Sequence, residues 1–145
     1  MSFIPCKPIF RLLTFVCLSK VVTANTYKNM SNLAGIYSVA YVTVPAEDVA
    51  KNLARSLVKN KLAACVNIIP GLTSVYEWQN EINEDNELLL MIKTRTDTVA
   101  ALTKFVMENH PYKVCEVISV PIQNGSEKYL QWIGEIVPPI DERQE

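Results

Sequence analysis

The stretch from Ala63 to Trp78, AACVNIIPGLTSVYEW, is one long extended segment interrupted at a single place, Pro70-Gly71. A proline inside a strand is confined to a sheet edge or a bulge, because it cannot donate to the ladder. The chain is therefore expected to build a sheet with a long, bent strand along one edge.

The flanking segments supply the rest of such a sheet. Ile36 to Val44 (IYSVAYVTV) is β-branched and aromatic and stops at Pro45, which reads as a first strand. Glu47 and Asp48 follow, where a helix N-terminus favours negative charge. Val49, Ala50, Leu53, Ala54, Leu57 and Val58 then recur at helical spacing, and the helix closes near Asn60. Past the long segment, the polar stretch from Gln79 to Glu87 reads as a hairpin turn. Leu88 to Thr94 (LLLMIKT) suits a strand buried inside a sheet. Asp97 is expected to cap a second helix carrying Val99, Leu102, Phe105 and Val106, which ends before His110-Pro111. Val114 to Ile122 reads as a fourth strand, and Glu127 to Ile136 as a short closing helix with Leu130 and Ile133 on its apolar face.

The order β-α-β-β-α-β carries a faint repeat at an offset of 50: Val49/Val99, Ala50/Ala100, Cys65/Cys115 and Ile68/Ile118. This is the trace that an α+β, ferredoxin-like split β-α-β fold with an antiparallel sheet would leave. Its strand order, 4-1-3-2, separates Cys65 from Cys115 by roughly 14 Å at about 4.8 Å per strand. A disulfide needs Cα atoms within about 7 Å, so none is expected between them.

Residues 1–35 differ in character from the rest. No acidic residue precedes Glu47, Lys7 and Arg11 lead into the apolar run Leu12 to Leu18, and Val22-Thr23-Ala24 ends on a small residue. This favours a secretory signal cut after Ala24; a mitochondrial presequence and an unprocessed cytoplasmic tail are the alternatives. The run falls short of the about 20 apolar residues that cross a membrane. The folded domain is expected over 36–137, with a polar tail at 138–145. Cys6 and Cys17 lie in the leader. Two sequons, at Asn29 and Asn124, are candidate glycosylation sites if the chain enters the secretory pathway. A net charge of −1 gives no electrostatic case for nucleic acid.

Several segments are specific enough to carry a resemblance. Leu62-Ala-Ala-Cys-Val-Asn67, Ile69-Pro70-Gly71 and Ser74-Val-Tyr-Glu-Trp78 are similar to the strand, kink and Y-x-W segment of the CutA family of divalent-cation tolerance proteins. The similarity continues through Met91-Ile-Lys-Thr94, His110-Pro-Tyr112, Glu116-Val-Ile118 and Tyr129-Leu-Gln-Trp132. The chain looks most like the animal branch. Two positions depart from the pattern: Cys115, where proline or alanine is frequent, and the loop Asn124-Gly125-Ser126. The resemblance implies a non-enzymatic homotrimer joined through edge strands, copper binding, and acetylcholinesterase as a protein partner.

His110, the only histidine, is the first candidate copper ligand; its other reading is a residue closing a helix C-terminus. Cys65 is the second candidate, as a soft thiolate, against plain core packing. With no second histidine, such a site must draw on distant residues or another subunit. Glu77, Lys93, Tyr112, Glu116 and Trp132 are candidates for lining an inter-subunit cleft, against simple ion pairing. Tyr76, Trp78, Tyr129 and Trp132 read as interface aromatics. A second reading is a trimeric small-ligand sensor that takes anions or nucleotides between subunits, with Lys93 and His110 as bait. A phosphate-handling hydrolase would need grouped glycines, and the chain has four, all apart.

Overall fold

A computed structural model describes residues 33–143. Residues 1–32, with Ala24, Cys6, Cys17 and the Asn29 sequon, lie outside the described residues. Strands β1 (Tyr37–Val44), β2 (Cys65–Trp78), β3 (Glu81–Arg95) and β4 (Ile118–Pro121) are joined by helices α1 (Glu47–Lys59) after β1 and α2 (Val99–Asn109) after β3, and α3 (Glu127–Ile136) follows β4. The strands form one antiparallel sheet in the order β2-β3-β1-β4. This is the split β-α-β arrangement expected from the sequence, with β2 on an edge.

Alternation along the strands assigns the two faces. Ala40, Val42 and Val44 stand opposite Ile92, Leu90 and Leu88, and all pack beneath α1 and α2. Helix α1 contributes Ala50, Leu53 and Leu57 to this core, and α2 contributes Leu102 and Val106. The acids Glu47 and Asp48 in the first turn of α1 complement its dipole, and Lys51 pairs with Glu47 at 2.6 Å. The other face carries the odd-numbered residues of β1 and β3. There, α3 covers one end, where Leu130 and Ile133 meet Tyr37 and Ala64. Gly134 permits that contact: a Cβ at this position would stand 2.5 Å from the Tyr37 hydroxyl. Away from α3 the same face is uncovered, and Ile69, Ile118 and Val120 are exposed on it.

The Pro70-Gly71 interruption is a β-bulge. Ile69 stands opposite Leu89 but Leu72 opposite Glu87, so β2 spends one more residue than β3 across the same span. Gly71 takes φ +83°, a left-handed value that costs glycine little. The extra residue inverts the alternation of β2. Before it, Asn67 and Ile69 share a face with Met91 and Leu89. After it, Ser74, Tyr76 and Trp78 occupy that face, opposite Asp85, Asn83 and Glu81.

Three local expectations are corrected. The segment from Gln79 to Glu87 is not a broad turn: only Gln79 and Asn80 turn, both at positive φ, and β3 begins at Glu81. A tight two-residue turn of this kind matches strand twist, so the polar residues are strand residues on an exposed arm. Asp97 does not occupy the cap position of α2. It sits in a 3₁₀ turn, Thr96–Thr98, its carboxylate held by Arg95 at 3.0–3.2 Å, and Thr98 precedes the helix. The fourth strand is shorter than Val114 to Ile122. Residues 110–117 run irregularly, with Cys115 and Val117 turned onto the main core instead of into a ladder. Cys65 and Cys115 are both free thiols. No helix among the described residues is long and apolar enough to cross a membrane.

Candidate binding cleft

The bulge and the loop after α2 together enclose an open cleft of about 830 Å³, lined by Thr43, Ser74, Tyr76, Trp78, Asp85, Glu87 and residues of 111–116. Period-two alternation builds its floor. Ser74, Tyr76 and Trp78 project from β2 on the face from which Asp85 and Glu87 project on β3. Diagonal hydroxyl–carboxylate bonds tie the two strands: Tyr76 Oη donates to Asp85 Oδ2 at 2.5 Å, and Ser74 Oγ donates to Glu87 Oε2 at 2.6 Å. Glu87 is 6% exposed. Tyr112 forms part of the facing wall, beside Pro111, Lys113 and Glu116.

The carboxylates set the local potential. The bond to Asp85 holds the Tyr76 phenol protonated and pushes its pKa up to about 12. Tyr112 is raised as well, first by burial and then by the charges of Glu87 and Asp85.

His110 borders this region but faces the main chain. Its Nδ1 accepts from the Tyr112 N–H at 3.0 Å, which leaves the proton on Nε2 to donate to the Thr43 carbonyl at 2.9 Å. Its ring also meets Tyr112 edge-on, with centroids 5.2 Å apart. Both nitrogens are engaged in anchoring the 110–112 turn to β1. Cys65 lies elsewhere, at the start of β2 opposite Lys93, beside the Tyr129 phenol. Burial and the neighbouring thiol raise the pKa of that phenol. Cys65 is level with Val39 on β1, whereas His110 binds at Thr43. Four residues along a strand are about 13 Å at about 3.3 Å each. The two candidate copper ligands therefore do not fit one site within a subunit. Among the described residues no group of three His, Cys, Asp or Glu side chains converges as a metal cage.

Of the five residues expected to line a cleft between subunits, Tyr112 and Glu116 line this one within the chain, and three lie elsewhere. Glu77 points to the opposite face of the arm from Tyr76 and Trp78. Lys93 is buried; its ammonium donates to Asn67 Oδ1 and to the Met91 carbonyl. With His110 also committed to the main chain, neither is presented as an anion bait. Trp132 stacks on Tyr129 along α3, with centroids 5.4 Å apart. Ser74, Asp85 and Glu87 were missed as site residues. The alternation Ser74-x-Tyr76-x-Trp78 against Asp85-x-Glu87 could have found them, had the acidic run been read as strand. Asn124 is exposed in the loop before α3, ahead of Ser126 at the helix N-cap.

A family profile described as "CutA1 divalent ion tolerance protein" matches residues 38–136. A CutA homologue from Xenopus laevis is 50% identical over 133 residues, covering 92% of this chain and 88% of that protein. Human protein CutA is 50% identical over 108 residues, or 74% of this chain; the match spans 60% of the human protein's length. The crystal structure of CutA1 from Oryza sativa superposes with a TM-score of 0.70 at 48% identity, covering 72% of this chain and 96% of that one.

Proposed function

The chain belongs to the CutA1 divalent ion tolerance family, and on that premise we propose that it works without catalysis, as a homotrimer closed along β2, in the response to divalent metal ions. The observation that carries this reading is the edge itself. β2 is 14 residues long and has a sheet neighbour on one side only. Its arm exposes Val75, Trp78 and, across the turn, Ile82. A long, apolar, unpaired edge invites aggregation unless another chain covers it. Pairing of identical subunits head to tail closes such an edge if the rotation returns after three copies. The uncovered apolar residues Ile69, Ile118 and Val120 supply further surface for burial on assembly.

Copper is the ion proposed, with Cys65 and His110, the latter on release of one of its two main-chain hydrogen bonds, as ligands drawn from different subunits, since one subunit keeps them apart. Copper titration of the parent beside His110→Ala and Cys65→Ser tests this. Weaker binding in either variant is expected, and unchanged binding in both defeats the assignment. We extend the reading to a scaffold for protein localisation, with acetylcholinesterase as the partner that the animal branch suggests. Co-purification of the two from a secretory cell is the check. Assembly is tested separately: charged substitutions at Val75 and Trp78 are expected to shift the sedimenting mass toward the single chain.

A further inference from the structure

Asn124-Gly125 is the one place in the chain where an asparagine precedes a glycine. The loop that holds it is fixed at both ends and free between them. At one end the Ile122 N–H donates to the Tyr37 carbonyl at 2.8 Å, and the Ile122 carbonyl accepts from the Gly35 N–H at 3.0 Å. At the other, Ser126 is the N-cap of α3, and its carbonyl accepts from the Leu130 N–H at 2.9 Å. Among the described residues, neither the Gly125 N–H nor the Asn124 side-chain amide has a hydrogen-bond partner, and both residues are exposed. The other described asparagines are placed differently. Asn60, Asn67, Asn83 and Asn109 are engaged through their side chains. Asn52, Asn80 and Asn86 lie in α1, in the tight turn and in β3, ahead of Leu53, Glu81 and Glu87.

These two free groups can react with each other. Glycine lacks the Cβ that would hinder its nitrogen from approaching the preceding side chain, and an unpaired loop leaves the backbone free to bring them together. We propose that Asn124 is a self-modification site, which deamidates through a succinimide without an enzyme. The Gly125 nitrogen gives up its proton and bonds to Asn124 Cγ. The Cγ–Nδ2 bond breaks, and Nδ2 takes up a proton and leaves as ammonia. Water then opens the ring. Cleavage of the new N–Cγ bond leaves aspartate; cleavage of the original peptide C–N bond leaves isoaspartate. Each product places a carboxylate ahead of the α3 N-terminus, where negative charge is favourable. The isoaspartyl form also lengthens the main chain by one carbon between its anchors at Ile122 and Ser126. Both forms lack the acceptor amide of the sequon, so a chain modified here can no longer be glycosylated at Asn124. Water is the only other molecule that must reach the loop.

The test uses the full chain, produced in bacteria so that it carries no glycan, and in whatever assembly it adopts. The protein is held in mildly alkaline buffer, then digested and mapped by mass. Aspartyl and isoaspartyl forms are both expected at residue 124, the second identified by its labelling with an isoaspartyl methyltransferase. Gly125→Ala should slow the conversion at least about tenfold, as a barrier higher by about 1.4 kcal/mol does. That variant keeps the fold: Gly125 has no positive φ, and an added Cβ would stand 3.5 Å from Leu130, an ordinary contact. A synthetic peptide from Ile118 to Leu130 supplies the rate without the fold. An Asn124 that stays intact in the chain while the peptide converts overturns the proposal. So does a Gly125→Ala chain that converts at the parent's rate, or conversion of any other asparagine ahead of Asn124.

Discussion

At the scale of single residues, His110 acts as a clasp. It accepts one main-chain hydrogen bond and donates another, joining the turn after α2 to β1. His110→Ala removes both partners from one wall of the cleft. A loss of about 1–3 kcal/mol in urea unfolding is expected, the usual cost of leaving such groups unsatisfied. Gly134 offers a cleaner test because its constraint has one identifiable cause. Gly134→Ala places a methyl against the Tyr37 hydroxyl and should cost about 1–3 kcal/mol through overpacking. Adding Tyr37→Phe removes that hydroxyl, so the double variant should recover most of the loss, read as a coupling in a double-mutant cycle. Tyr76 gives a pH signature. Its folded pKa, about 12, lies above the ordinary 10.0, so the folded state holds the proton more tightly. That contribution to stability is complete below pH 10 and is lost as pH rises toward 12. Ultraviolet titration should place this phenol near 12 in the parent and nearer the ordinary value in Asp85→Asn.

At the scale of elements, the bulge decides which side chains share the cleft. Gly71→Ala meets no neighbouring atom, so its cost is the backbone strain at φ +83° alone, about 1–2 kcal/mol. Deleting Gly71 is different: the alternation would revert, and Ser74, Tyr76 and Trp78 would turn away from Asp85 and Glu87. The expected readout is loss of the elevated Tyr76 ionisation together with a red-shifted Trp78 emission. Much of this was legible in the sequence, because Pro70-Gly71 marks the bulge and period-two alternation is plain on both sides of it. The extent of β3 was not legible. Glu81 to Glu87 has the composition of a turn, and only pairing with the exposed half of β2 makes it a strand. β4 was overestimated for the opposite reason. Val114 to Val117 favours a strand by composition, but Cys115 and Val117 find their burial against the main core, off the ladder. The candidate site was harder still. His110 and Cys65 were chosen by side-chain chemistry, whereas register alone decides that they sit about 13 Å apart along the sheet.

At the scale of the whole molecule, the single chain leaves two features uncovered. Strand β2, 14 residues long, has an unpaired edge, and one sheet face leaves Ile69, Ile118 and Val120 exposed beyond the cover of α3. Each feature alone is tolerable, but together they support the proposed assembly, in which both are buried against copies of the chain. The element order made the edge visible from sequence, since the fold places the second strand outermost. The uncovered face was not visible, because it follows from how far α3 reaches across the sheet. The most direct test of this account is sedimentation equilibrium of the purified chain with metal ions removed. The account predicts one species at three times the 16.3 kDa of the chain. A stable species at the mass of one chain, with its β2 edge open, would contradict it.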